Sequence, residues 1–274
     1  MMSYTLDQLY GIRGQVIVVT GAAGGIGLEL CRAIRDLGGR VAAVVRSAKS
    51  REKVLEALHC PNLSTEKDVL CVIADLTHEE AVKAAMEQID RHFGRIDGLV
   101  NAAGMNIIES LEKMTLSDFQ KVMDTNFTSV AICCKYAGVY MLRAKKGRIV
   151  NISSLSTVKG KAYYTAYASS KAAVDSFTRA LAIEWAQQGI NVNSVAPGMI
   201  VTDINRKQIE ENPRSYEKRI ESIPRGCAGR TEWLVAPVIM LLSPGSVHMT
   251  GQTVFVDGGC TAGDTFVMET ERFR

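Results

Sequence analysis

Short, continuous apolar runs rich in β-branched residues recur along the chain, each followed by a stretch with the spacing of an amphipathic helix. The runs are VIVVT (16–20), RVAAVV (40–45), VLCVIA (69–74), GLVNA (98–102), RIVNIS (148–153), NVNSVA (191–196) and TVFVD (253–257). Runs that are apolar at odd and even positions alike suit strands covered on both faces, as in a parallel sheet. The intervening stretches carry helix start signals. THEE at 77–80 and TLSD at 115–118 read as capping boxes, with Thr77 and Thr115 as N-caps. No repeat, low-complexity tract or Pro/Ser-rich linker divides the chain. The pattern predicts an α/β fold: one doubly wound domain over residues 1–274, with right-handed crossovers.

One segment breaks the alternation. Residues 199–228, MIVTDINRKQIEENPRSYEKRIESIPRGCA, follow a strand end and hold no strand pattern. An insertion there would lie over the carboxyl edge of the sheet, where open α/β folds bind ligands. Insertions of this length commonly serve as lids or binding loops.

Composition narrows the function. The chain has 274 residues, 47% of them hydrophobic, enough for a large core. Length alone would suit two domains, but α/β folds of this size often form one. Its 32 basic and 29 acidic residues are mixed, with a net charge of +3, which argues against a nucleic-acid partner and its concentrated basic face. The densest basic run, RAKKGR at 143–148, reads as a solvated helix end. Seven cysteines show no CxxC pair, and Cys31, Cys71, Cys133 and Cys134 sit in apolar runs, so buried thiols in a reducing cytosol are expected. Four scattered histidines give no metal spacing. The first residues lack a signal-peptide pattern, and no window approaches the ~20 apolar residues of a membrane span. A soluble, cytoplasmic protein without a membrane partner is expected.

Candidate chemistry starts after the first run. TGAAGGIG (20–27) leads into the helical stretch LELCRAIRDLG. Gly21, Gly25 and Gly27 would let backbone amides approach a pyrophosphate, and the next helix would turn its positive end toward it. Between a buried strand and an amphipathic helix, this turn predicts a dinucleotide site. An NAD site favours an acidic residue at the end of the second strand. Here that strand ends in Val45 followed by Arg46 and Ser47. A guanidinium there matches a 2′-phosphate, so NADP(H) is the expected cofactor, with NAD(H) second. Asp75, in IADLT, is either an acceptor for the adenine amino group or a turn carboxylate.

YYTAYASSKAA (163–173) supplies a reactive pair, because only Tyr167 has a lysine, Lys171, four residues on. On a helix these two share one face. Free tyrosine has a pKa of ~10, so a base working near pH 7 needs ~4 kcal/mol. An ammonium about 4 Å away supplies ~4 kcal/mol at an effective dielectric of 20, against only ~0.3–1 kcal/mol from a helix terminus. NISS brings Ser153 and Ser154 to the end of the fifth strand, where a hydroxyl can hold an oxygen as charge develops. Asn126, in MDTNFTSV, is a polar residue inside an apolar helix, either kinking it or acting in catalysis.

The ordered set TGAAGGIG, NAAG (101–104), Asn126, NISS, YASSK and APG (196–198) resembles the short-chain dehydrogenase/reductase family over nearly the whole chain. The resemblance implies a seven-stranded Rossmann-type parallel sheet and a homotetramer or homodimer. It places a catalytic tetrad on Asn126, Ser154, Tyr167 and Lys171. Ser154 is chosen over Ser153 because the family's serine lies thirteen residues before its tyrosine. Lys171 would also bind the nicotinamide ribose, and Asn126 would support a water-borne proton relay. The implied cofactor contacts include Gly21, Gly25, Ile26, Gly27, Arg46, Ser47, Asp75, Leu76, Asn101, Ala102, Gly104, Tyr167, Lys171, Pro197 and Gly198. Ile200 and Thr202 would meet the nicotinamide amide. Two departures stand out. Where many NADP-dependent members carry a basic residue in the glycine loop, this chain has Gly24, leaving Arg46 to bear the phosphate. The two arginines with which the family's 3-oxoacyl carrier-protein reductases dock their partner fall on Lys145 and Gln188.

The resulting expectation is an NADP(H)-dependent oxidoreductase interconverting a secondary alcohol and a ketone on a small molecule. The 205–230 stretch has seven basic and four acidic residues, and Asn106, Lys159, Lys161, Tyr163 and Tyr164 add polarity. This leans toward a sugar-acid or polyol-like substrate; a β-ketoacyl thioester is the alternative. A non-catalytic, cofactor-binding regulator should have lost tetrad positions, and none is lost. GQTVFVDGG (251–259) resembles the family's last strand, which commonly forms a subunit contact; the tail beyond it carries no motif.

Overall fold

The structure, a computed structural model, describes residues 4–60, 67–202, 206 and 209–263. All seven predicted strands form, as β1 (Val16–Thr20), β2 (Arg40–Val45), β3 (Val69–Ile73), β4 (Gly98–Asn101), β5 (Gly147–Ile152), β6 (Ile190–Pro197) and β7 (Thr253–Val256). They make one sheet in the order β3-β2-β1-β4-β5-β6-β7, every pair parallel. The order reverses between β1 and β4, which opens a crevice at their carboxyl ends.

Both faces are covered, as the two-sided apolar runs require. Along β1, Ile17 and Val19 join a core completed by α2 (Gly25–Asp36), α3 (Ala48–Ala57) and the helix Val235–Leu242, here α9. Val16 and Val18 point the other way, into a core shared with α4 (Glu79–Phe93), α6 (Ser129–Ala144) and α7 (Thr165–Trp185). Each buried valine or leucine contributes about 1.5–3 kcal/mol of burial, so the alternation fixes which face each helix covers. The four thiols expected inside, Cys31, Cys71, Cys133 and Cys134, are buried.

Two local expectations need correction. Thr115 caps its helix, α5 (Leu116–Met123), accepting from the Asp118 amide at 3.0 Å. Thr77 does not cap α4; His78 stands there, because the Thr77 hydroxyl is committed to Asp75 at 2.7 Å. The basic run at 143–148 is also split. Arg143 to Lys146 form an exposed helix end, but Arg148 is buried in β5, donating to the Ser243 carbonyl and to Asn191 Oδ1. Burial lowers its pKa from the usual guanidinium value.

Candidate active site

Parallel strands all end at one edge, so the residues just past each strand gather there. Gly21 follows β1, Arg46 follows β2, Asp75 lies two residues past β3, and Ala102 follows β4. Ser153 and Ser154 follow β5, and Gly198 follows β6. The sequence motifs thus converge because the sheet is parallel, not because they are near in the chain.

Tyr167 sits in the first turn of α7 and is largely buried. Burial raises its pKa, and the Ser154 hydroxyl bonded to the phenol opposes that shift. Lys171, one turn on, is 5% exposed and donates from Nζ to the Ile152 carbonyl at 2.7 Å. Its ammonium lies 6.0 Å from the Tyr167 ring centre. Without a cofactor present, desolvation is the largest influence on the phenol and outweighs what lowers its pKa. Burial also lowers the lysine, to about 8, with Asp175 opposing.

Of the two alternatives left by the sequence for Asn126, the structure shows the helix distortion. Asn126 lies in a π-helical turn (Asp124–Thr128) that interrupts the helix between α5 and α6, and such turns gather at functional sites. The wider turn aims its buried amide sideways. Oδ1 accepts from the Met105 amide at 2.8 Å, and Nδ2 donates to the Met105 carbonyl at 2.9 Å and to Ser170 Oγ at 3.0 Å. Ser170 in turn donates to the Tyr167 carbonyl at 2.7 Å. Asn126 is therefore tied to the backbone of the tyrosine. A Cβ on Gly104 would stand 3.3 Å from Asn126 Oδ1 and 3.6 Å from Lys171 Nζ, so only glycine leaves that space open.

The glycine turn fits an anionic group. Gly21 has φ +63°, and a Cβ there would reach within 2.8 Å of the Ala103 backbone. Thr20 Oγ1 accepts from the Ala102 and Ala103 amides at 3.1 and 3.3 Å, locking β1 to the loop after β4. α2 begins after Gly24 with no side-chain cap and no acidic residue in its first turn. The amides of Gly25, Ile26 and Gly27 at this positive helix end suit the pyrophosphate of a dinucleotide. Arg46 is exposed and its side chain makes no hydrogen bond or ion pair among the described residues, which suits it to a phosphate.

Other candidates are less directly disposed. The Ser47 hydroxyl caps α3, accepting from the Ser50 amide at 3.2 Å. The Asp75 carboxylate accepts two bonds from Thr77, which lower its pKa, so it does serve as a turn carboxylate. Leu76 packs partly buried against the core under α4. Asn101 turns its amide into the sheet, donating to Asn151 Oδ1 at 2.8 Å, while its own Oδ1 is buried with no partner among the described residues. Pro197 is buried in register with Val256, and a Cβ on Gly198 would come within 2.7 Å of Asp257 Cα.

The insertion is pinned at its base by a bridge between Ile200 and Gly229, with Val201 donating to the Gly229 carbonyl at 3.1 Å. Inside it runs a helix, α8 (Pro213–Glu221), with Pro213 in its first turn. Thr202 packs 3.1 Å from where a Gly25 Cβ would be, bringing the insertion's foot to the glycine turn. A cavity of about 390 Å³ between the insertion and the ends of β6 and β7 is lined by Met199, Ile223, Arg225, Trp233 and Phe255, and does not reach Tyr167. Lys161 places its ammonium 3.9 Å over the Tyr164 ring, which packs edge-on to Tyr167 at 6.0 Å. Tyr163 adopts φ +67°, a strained geometry for a side-chain-bearing residue. Sequence reasoning passed over Ser170, Thr20 and Asp175; their one signal was polarity at positions the apolar pattern would bury. Among the described residues, no group of three or more His, Cys, Asp or Glu is arranged to hold a metal, and no helix is long and apolar enough to cross a membrane.

Against known proteins, residues 15–213 match the short chain dehydrogenase family. The chain is 37% identical to the 3-oxoacyl-(acyl-carrier-protein) reductase FabG of Pseudomonas aeruginosa, over 90% of this chain and 98% of that one. It is 31% identical to galactitol 2-dehydrogenase (L-tagatose-forming) of Cereibacter sphaeroides, over 92% and 97%. A solved structure of a candidate NAD(P)-dependent gluconate 5-dehydrogenase from Beutenbergia cavernae, with bound NADP, superposes with a TM-score of 0.85 at 32% identity, covering 93% of this chain and all of that one.

Proposed function

Because this chain belongs to the short-chain dehydrogenase/reductase family and is an oxidoreductase, we propose that it uses NADP(H) to interconvert a secondary alcohol and a ketone on a small polar molecule of the sugar-acid or polyol class. The observation that carries this reading is the gathering of Ser154, Tyr167, Lys171 and Asn126 at the sheet edge that also holds the glycine turn, with Lys171 one helical turn from Tyr167 and Asn126 linked to it through Ser170. The cofactor, when bound, supplies the hydride. Gly21, Gly25, Ile26 and Gly27 would cradle its pyrophosphate, and Arg46 its 2′-phosphate.

The protein's own groups handle the oxygen and its proton. Ser154 holds the substrate oxygen beside Tyr167. Burial keeps the phenol protonated near neutral pH, so the resting residue is an acid, suited to donating a proton to a ketone oxygen as it becomes an alkoxide. Lys171 is the buried cation that stabilises the phenolate left behind. Asn126, through Ser170, fixes the turn that carries Tyr167.

Sugar-alcohol and carrier-protein enzymes both stand among the relatives at similar identity, so likeness alone does not choose a substrate. Local residues favour the polar one. Lys145 and Gln188, exposed beside the starts of β5 and β6, supply one cation where the thioester reading wants two. Lys161 and Tyr164 give the approach to Tyr167 a polar, cationic rim. The test is NADPH oxidation with 5-ketogluconate-like ketones beside acetoacetyl thioesters. Faster reduction of the keto acids is expected; faster thioester reduction overturns the substrate class, and tight NADPH binding with no carbonyl consumed overturns the enzymatic reading.

A further inference from the structure

We propose that Asp175 is a positioning residue for this site: its carboxylate, clamped by Ser194, keeps the neighbouring Lys171 in its ammonium form. The inference rests on Lys171 belonging to the site, and adds a partner outside the family motif.

Four residues separate the two on α7, so they share a face, and each is only 5% exposed. That face lies on the β5–β6 pair. Lys171 Nζ is bonded to the Ile152 carbonyl, while Asp175 Oδ1 accepts from Ser194 Oγ at 2.8 Å. In the parallel register Asn151 is opposite Ser194, so Ile152 and Ser194 sit on adjacent strands one residue apart in level. Strand spacing and rise put such positions about 6 Å apart. The two charges make no direct ion pair, so Asp175 acts through space and leaves the ammonium free for its site contacts. Ser194 is in turn 2.8 Å from Thr253 Oγ1, giving a hydroxyl chain from β7 to the carboxylate.

Little else can play this part. β6 and the turn Leu155–Thr157 carry no ionisable side chain. Arg148, the ionisable side chain of β5, lies near that strand's opposite end and is bonded to Ser243 and Asn191. On α5 Lys121 is exposed and the half-buried Asp118 accepts from the Thr115 hydroxyl; Asp124 of the π-helical turn accepts from Gln120 and Thr128. α6 offers buried thiols, Lys135 and Tyr136 both bonded to Glu79, and Tyr140 beside the exposed Arg143. On α7 itself Tyr164 and Tyr167 are the neighbouring titratable groups, while Arg179 and Glu184 are exposed. Asp175 is the charge that opposes the desolvation of Lys171.

The experiment is a direct NMR titration of the Lys171 side chain in the cofactor-free protein, its resonance identified by loss in Lys171→Arg. Asp175→Asn keeps the shape and an acceptor for Ser194 while removing the charge. A midpoint near 8 is expected in the native protein. In Asp175→Asn it should fall by about one to two pH units, a roughly tenfold or greater change in the proton equilibrium, and Asp175→Glu should restore it. An unchanged midpoint in Asp175→Asn overturns the proposal. If that variant does not fold, Ser194→Ala keeps the carboxylate but releases its clamp; a smaller downward shift is expected, and an unmoved midpoint overturns the proposal equally. No cofactor or substrate enters this titration, so an absence of carbonyl reduction would count against the functional reading alone.

Discussion

Asn126 shows how one buried amide can serve stability and chemistry together. Asn126→Ala would strand the Met105 amide and the Ser170 contact, costing about 1–3 kcal/mol. Thermal melts should show that loss, and NADPH-dependent rates should fall beyond what the lost stability explains, since Ser170, which bonds the Tyr167 carbonyl, loses its anchor on Asn126. Arg46 tests the cofactor assignment. Arg46→Ala should remove a charge-assisted contact of about 1.5–3 kcal/mol, raising the KM for NADPH roughly ten- to a hundredfold while leaving that for NADH nearly unchanged. Equal effects on both cofactors would contradict a phosphate role. At this scale the sequence was most informative where chemistry demands a spacing, as in Tyr167 and Lys171. It was silent on desolvation, because the apolar pattern does not reveal how deeply a phenol is buried. Ser170 and Asp175 were invisible as site residues: their importance comes from Asn126 and Ser194, which reach them from distant parts of the chain.

Elements meet through fits that sequence periodicity cannot foresee. Gly138 on α6 lies directly beneath the Trp185 ring of α7, and any Cβ there would collide with it. Gly138→Ala should therefore destabilise by about 1–3 kcal/mol through overpacking of a buried aromatic, readable as a lower melting temperature. No change in melting would show that the two helices can slide apart freely. Strand positions were legible because a residue covered on both faces must be apolar at every step. The π-helical turn was not, since it breaks periodicity by a single residue. The missing Thr77 cap has the same origin: its hydroxyl had a competing acceptor, Asp75, two residues back.

For the molecule as a whole, four buried thiols dominate the response to alkali. Burial holds Cys71 and Cys134 up at about 12, and pushes Cys31 and Cys133 higher still. In the unfolded chain free thiols ionise near ~8.5. The folded state then binds more protons than the unfolded one, so stability is full below about pH 8.5 and is lost as pH rises toward the folded values, each thiol adding up to about 1.4 kcal/mol per pH unit. Lys171 acts oppositely, its lowered pKa giving stability that grows from pH 8 to about 10.4, but one group is outweighed by four. Calorimetry under reducing conditions should show melting fall steeply between pH 9 and 11, with a shallower fall in Cys134→Ala. Assembly belongs to this scale too. Val139 and Ile183 project exposed from α6 and α7, favouring a homotetramer or homodimer, so gel filtration should give a multiple of the 29.8 kDa chain; a single-chain mass would contradict it.

Comparing single-turnover NADPH oxidation at 340 nm by the native protein and by Tyr167→Phe, with a ketone the native protein reduces, bears most directly on the account. It predicts that the variant still binds NADPH and melts within a few degrees of the native protein, yet reduces the ketone about 10²–10⁴-fold more slowly. Hydride transfer at the native rate by Tyr167→Phe would contradict it.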